Sequence, residues 1–114
     1  MSKEFHMNER AFLNLPTHLR AYIIAYVEDT SPYPACHKQY RSGGQISLRI
    51  ADCVDEIDLY FDLSNERERK NSLFKANKLV EILTKFRDAV EAEAKALEER
   101  ETLQQHARAA YAIH

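Results

Sequence analysis

Two glycines and three prolines in 114 residues constrain this chain more than any other feature of its sequence. A sandwich of many short strands needs a turn about every ten residues, and turns draw on glycine for positive φ and on proline for a fixed one. With so few of either, the expectation is long helices joined by few turns. Hydrophobic residues at 45% and charged residues at 30% suit an ordinary globular chain rather than a disordered one. The length fits a single domain.

The apolar residues support the same expectation. Residues 1–16 read as an arm or one short helix that ends at Pro16. Thr17 then stands where a helix N-cap belongs, and Leu19, Tyr22, Ile23, Tyr26 and Val27 recur at three- and four-residue steps. Pro32 and Pro34 end that segment. Residues 31–44 form a connection loosened by Ser42-Gly43-Gly44. A second helix would carry Ile46, Ile50, Cys53, Val54, Ile57, Tyr60 and Phe61 on one face, with Asp52, Asp55, Glu56, Asp58 and Asp62 largely off it.

Ser64-Asn65 can cap a third helix, whose apolar band runs through Leu73, Ala76, Leu79, Val80, Ile82, Leu83, Phe86, Ala89 and Val90. That band is wider than a two-helix seam requires. After Val90 the composition turns to alanine, glutamate and lysine, with a displaced stripe through Ala96, Leu103, Ala107 and Ala110. The chain there either continues helix three or breaks near Glu98-Glu99 and folds back. The expected fold is all-α: an antiparallel up-down four-helix bundle over residues 17–114, the last helix separate or an extended continuation of helix three.

Catalytic and metal signatures are missing from the sequence. Cys36 and Cys53 form no CxxC pair, and His6, His18, His37, His106 and His114 are scattered. No inward Glu-x-x-His pair of a di-iron bundle occurs, and Ser42-Gly43-Gly44 lacks a phosphate-loop context. The expectation is a non-enzyme without cofactor or metal. No stretch approaches the about 20 apolar residues of a membrane span, and the start has no signal-peptide apolar run. A cytoplasmic protein with no membrane partner is expected.

The net charge of −2 argues against a uniformly basic surface, but the charge is unevenly spread. Residues 37–87 hold ten Lys/Arg against eight Asp/Glu, whereas residues 88–114 hold three against six. Lys38 and Arg41 lie in the long connection, Arg49 early in helix two, and Arg67, Arg69, Lys70, Lys75 and Lys78 in helix three. Clustered cations of this kind bind phosphates by releasing condensed counterions. These eight residues are the candidate nucleic-acid-binding set, set against the plainer reading of a solvated helix face.

The order of features also resembles a known superfamily. An apolar first segment precedes Ser31-Pro32-Tyr33-Pro34-Ala35-Cys36-His37-Lys38, then a basic turn, then a segment beginning near Gln45-Ile46. The run Leu73-Phe74-Lys75-Ala76-Asn77-Lys78-Leu79-Val80-Glu81-Ile82-Leu83 follows. Over residues 17–90 this resembles the four-helix-bundle superfamily of ribosomal-RNA intervening-sequence proteins and the accessory variability determinant of diversity-generating retroelements. The resemblance implies a homo-oligomeric ring, pentameric in characterised members. It also implies an accessory role beside a reverse transcriptase and RNA or DNA, through Lys38, Arg41, Lys75 and Lys78. This chain departs from that pattern in its slight net acidity and acidic tail. The alternative is a small phage-type regulator that docks on a host protein through acidic residues such as Asp55, Asp58 and Asp62.

Overall fold

Four strands precede a single helix in the computed structural model, which describes residues 3–18, 20–38 and 44–113. The strands are β1 (Glu4–Phe12), β2 (Tyr22–Asp29), β3 (Ile46–Asp52) and β4 (Asp55–Leu59), and the helix is α1 (Glu66–Ile113). The strands form one antiparallel sheet in the order β1-β2-β3-β4. The fold is therefore α+β. The four-helix bundle expected from the sequence is overturned, and with it the architecture that the superfamily resemblance implies.

The physical reason lies in what surrounds the helically spaced residues. Tyr22, Ile23, Tyr26 and Val27 belong to an unbroken run, Tyr22-Ile23-Ile24-Ala25-Tyr26-Val27, rich in aromatic and β-branched side chains. Such side chains lose χ1 freedom in a helix and pack well on a pleated surface. In β3, Ile46, Leu48 and Ile50 alternate with Ser47 and Arg49. In β4, Ile57 and Leu59 alternate with Glu56 and Asp58. This is the period of two that a strand with one buried face requires. The register pairs Leu48 with Leu59, Ile50 with Ile57 and Arg49 with Asp58.

Residues 4–12 are an edge strand, neither an arm nor a short helix, with a bulge between Phe5 and Met7. Thr17 caps no helix. It lies in the β1–β2 turn, where the His18 amide donates to the Leu15 carbonyl at 2.7 Å. The β3–β4 hairpin turns through Cys53-Val54 without a glycine, and Cys53 takes φ 56°. Where the β2–β3 connection rejoins the sheet, glycine is required. Gly44 has φ 72°, and a Cβ there would lie 2.6 Å from the Thr30 methyl.

The helix start follows the sequence closely. Asn65 Oδ1 accepts from the Glu68 amide at 2.9 Å, the N-cap bond to the third helical residue. The Arg69 amide donates to the Asn65 carbonyl at 2.9 Å. From there α1 runs unbroken through Glu98-Glu99 for 48 residues. The chain divides into two compact units, Met1–Lys75 and Ala76–His114. The first holds the sheet and the opening turns of α1, and the second holds the remainder of α1.

Among the described residues neither unit has a conventional core. The buried hydrophobics among the described residues are Ala21, Tyr33 and Ala51, and no large side chain is fully buried.

Candidate functional site

Each predicted cation can be followed to its place in the fold. Arg49 sits on β3 and grips Asp58 of β4 with two hydrogen bonds, Nε to Oδ1 at 2.7 Å and Nη2 to Oδ2 at 3.1 Å. Its Nη1 lies 4.0 Å from Glu56. The hydrogen bonds and the opposite charge hold Asp58 below the usual carboxylate range and raise Arg49 further. Its charge is thus compensated across the hairpin.

Arg69 Nη1 donates to the Leu63 carbonyl at 3.1 Å. Lys75 Nζ donates to the Tyr60 carbonyl at 2.7 Å and lies 5.0 Å from the centre of the Phe61 ring. With Ser72, whose hydroxyl donates to the Asp62 carbonyl at 2.7 Å, these side chains satisfy carbonyls of the segment leading into α1. They fasten the helix start. Lys70 pairs with Glu66 at 3.3 Å and Lys78 with Glu81 at 2.9 Å along the helix surface. Exposed pairs of this kind contribute only about 0.2–0.5 kcal/mol each.

Lys38 and Arg67 are exposed and have no ion pair among the described residues. Arg41 lies outside the described residues. The sheet holds Arg49, the opening turns of α1 hold Arg67, Arg69, Lys70 and Lys75, and Lys78 belongs to the second unit. The acidic residues of the alternative reading are also engaged in part. Asp58 binds Arg49, and the Ser64 side chain and amide hold the Asp62 carboxyl low.

One buried polar cluster escaped the sequence reading. Glu28, only 3% exposed, stands one residue before the end of β2 with both carboxylate oxygens used. Oε2 accepts from the Tyr33 hydroxyl at 2.6 Å, and Oε1 from the Gln45 amide at 2.8 Å. The Tyr33 hydrogen bond is the main cause that lowers Glu28, and Glu28 in turn raises Tyr33. His37 stacks on the Tyr33 ring at 4.7 Å. With both oxygens occupied by the connection it ties down, this carboxylate is an anchor.

Among the described residues no group of three or more His, Cys, Asp or Glu could hold a metal ion. No helix among them is long and apolar enough to cross a membrane. What the fold does assemble is apolar. Along α1, Ala76, Leu79, Leu83, Phe86 and Val90 keep the three- and four-residue spacing of a coiled-coil seam. Val80 and Ile82 widen that seam on either side. Leu83 is 55% and Phe86 65% exposed. Beyond Leu97 the same face meets Glu101, Gln104 and Arg108, which ends the seam. No protein-family profile, curated protein or solved structure matches the chain.

Proposed function

We propose that this chain is a non-catalytic self-assembling protein whose long helix bundles with the helices of further copies. The observation that carries this reading is the uncovered stripe from Ala76 to Leu97, with Leu83 and Phe86 more than half exposed. Each large aliphatic or aromatic side chain that a neighbouring helix covers contributes up to about 1.5–3 kcal/mol. Isolated helices draw little stability from propensity alone, so a 48-residue helix gains most of it from packing. The wide seam favours more than two helices, since a two-stranded coil has charged residues flanking its seam. Val80 and Ile82 stand there instead.

Replacing Leu83 and Phe86 together by aspartate tests this. Light scattering on the wild-type chain should give a multiple of the 13.3 kDa chain mass, and the double variant a smaller one. Wild type at a single chain mass across micromolar concentrations, or a variant of unchanged mass, defeats the reading.

A second reading adds a nucleic-acid partner, with or without a reverse transcriptase beside it. Lys38 and Arg67 favour it, being exposed and without ion pairs among the described residues. An assembly would repeat both on every copy, and avidity would multiply weak contacts. RNA affinity should then fall steeply as salt rises and drop in a Lys38→Glu, Arg67→Glu variant. No RNA or DNA binding at low salt rules this second reading out.

A further inference from the structure

The charges beside the helix seam follow an order that gives the seam a direction. With Ala76 at position a of a heptad, Leu79, Leu83, Phe86, Val90 and Leu97 fall at a and d, and position f is the back of the helix. The charged residues at the remaining positions, b, c, e and g, separate by sign. From Ala76 to Val90 they are Lys78, Lys85 and Arg87, and from Glu91 to Glu101 they are Glu91, Glu98, Glu99 and Glu101. Lys70 and Lys75 extend the basic part towards the helix start. The back runs the other way, since Glu81 and Asp88 precede Lys95 there. The segregation therefore belongs to the flanks of the seam and not to the helix as a whole.

Contacts within the helix leave the acidic flank open. Lys78 and Lys85 reach Glu81 at 2.9 and 3.4 Å, and Arg87 reaches Asp88 at 3.1 Å. The charges at d positions, Glu93 and Arg100, pair with each other at 3.2 Å. Among the described residues none of Glu91, Glu98, Glu99 and Glu101 has an ion pair. Exposed pairs along one helix are weak, so the basic flank is held only loosely by the back.

We infer that the helix lying along the seam is α1 of a second copy running in the opposite direction, its basic flank against this acidic one. The inference rests on the self-assembly proposed above and adds its polarity. A parallel neighbour would set cations on cations and anions on anions, and such juxtaposition is what excludes a wrong arrangement. An antiparallel neighbour matches both flanks at once, because a two-fold axis near the change of sign, between Arg87 and Glu91, makes the contact self-complementary. Flanking charges choose orientation in packed helices, whereas the apolar seam supplies the affinity. Salt therefore screens the choice of direction without dissolving the assembly.

The test measures distances between spin labels on neighbouring copies of the full chain. Cys36→Ser and Cys53→Ser remove the exposed native thiols, and one cysteine is added on the back of the helix, by Asp88→Cys, Lys95→Cys or Thr102→Cys. Between antiparallel copies, each residue of displacement from the axis adds about 3 Å of axial separation, twice the helical rise. The separation at Thr102→Cys should therefore exceed that at Asp88→Cys by roughly 40 Å, with Lys95→Cys between them. Parallel copies give one distance at all three sites. In an assembly of more than two helices, parallel neighbours add a short distance, but only antiparallel ones give the long one. Glu98→Gln, Glu99→Gln and Glu101→Gln together should shrink the long-distance fraction at unchanged mass, and so should added salt. Light scattering on the same samples separates the two levels. A multiple of the chain mass with one distance at all sites overturns the inference and leaves self-assembly standing, whereas a single chain mass overturns both. A long-distance fraction that neither glutamine nor salt moves also overturns it, since the flanks then do not set the direction.

Discussion

Glu28 keeps its charge although almost none of its surface meets water. Burial alone would raise its pKa, but the Tyr33 hydroxyl and the Gln45 amide donate to it, and the balance leaves it lowered. A carboxylate whose folded pKa lies below its unfolded one stabilises the fold above the ordinary carboxylate range. That stability disappears as pH falls through the lowered value. In Glu28→Gln one amide position meets a donor with a donor. The variant should lose about 1–3 kcal/mol at neutral pH, and its urea midpoint should depend less on pH in the acid range than that of the wild type. Equal midpoints at pH 7 would remove Glu28 as the anchor.

The second prediction at this scale concerns Cys53, whose φ of 56° favours glycine. Cys53→Gly should raise the urea midpoint by the equivalent of about 0.5–1 kcal/mol, provided relief of strain exceeds the entropy that glycine adds to the unfolded chain. A lowered midpoint would show the hairpin unstrained. The Asn65 cap was legible in the sequence because its partner lies three residues on. The Glu28 anchor was not, because Tyr33 and Gln45 become its neighbours only when the connection folds back.

Among the elements, the helix start was read correctly and the strands were not. Leu73 to Val90 offered one strong period of 3.6, and local capping reinforced it. The segment from Ile46 to Phe61 offered two periods at once, a sparse helical one and the alternation of Ile46, Leu48, Ile50 and of Ile57, Leu59. Cross-strand partners decided between them, since Arg49 meets Asp58 and Ile50 meets Ile57 only in the hairpin. The candidate cations fared by the same rule. Arg69 and Lys75 find carbonyls of residues 60–63, partners that charge counting along a sequence does not see. For α1 the aspartate pair at Leu83 and Phe86 should lower helical content as well as assembly size, because the helix loses the packing that sustains it. Ellipticity at 222 nm that stays constant on dilution and on substitution would mean the helix stands alone.

Taken whole, the molecule has surfaces where a small domain would have a core. Ala21, Tyr33 and Ala51, the buried hydrophobics among the described residues, stabilise little by themselves, and the uncovered helix stripe holds many of the remaining large apolar side chains. The salt response separates the partners at this scale: RNA binding through Lys38 and Arg67 should loosen as salt rises, whereas assembly through the apolar helix seam should not. By itself the sequence determined the capped helix start, the wide apolar seam and the acidic end, all set by residues a few positions apart, while it left open whether the helix runs on past Glu98-Glu99. Only the tertiary structure decided that Glu4–Phe12, Tyr22–Asp29, Ile46–Asp52 and Asp55–Leu59 pair as strands and that Arg49 is neutralised by Asp58. Those outcomes depend on which distant strand becomes a neighbour, and loop closure and cross-strand packing settle that choice.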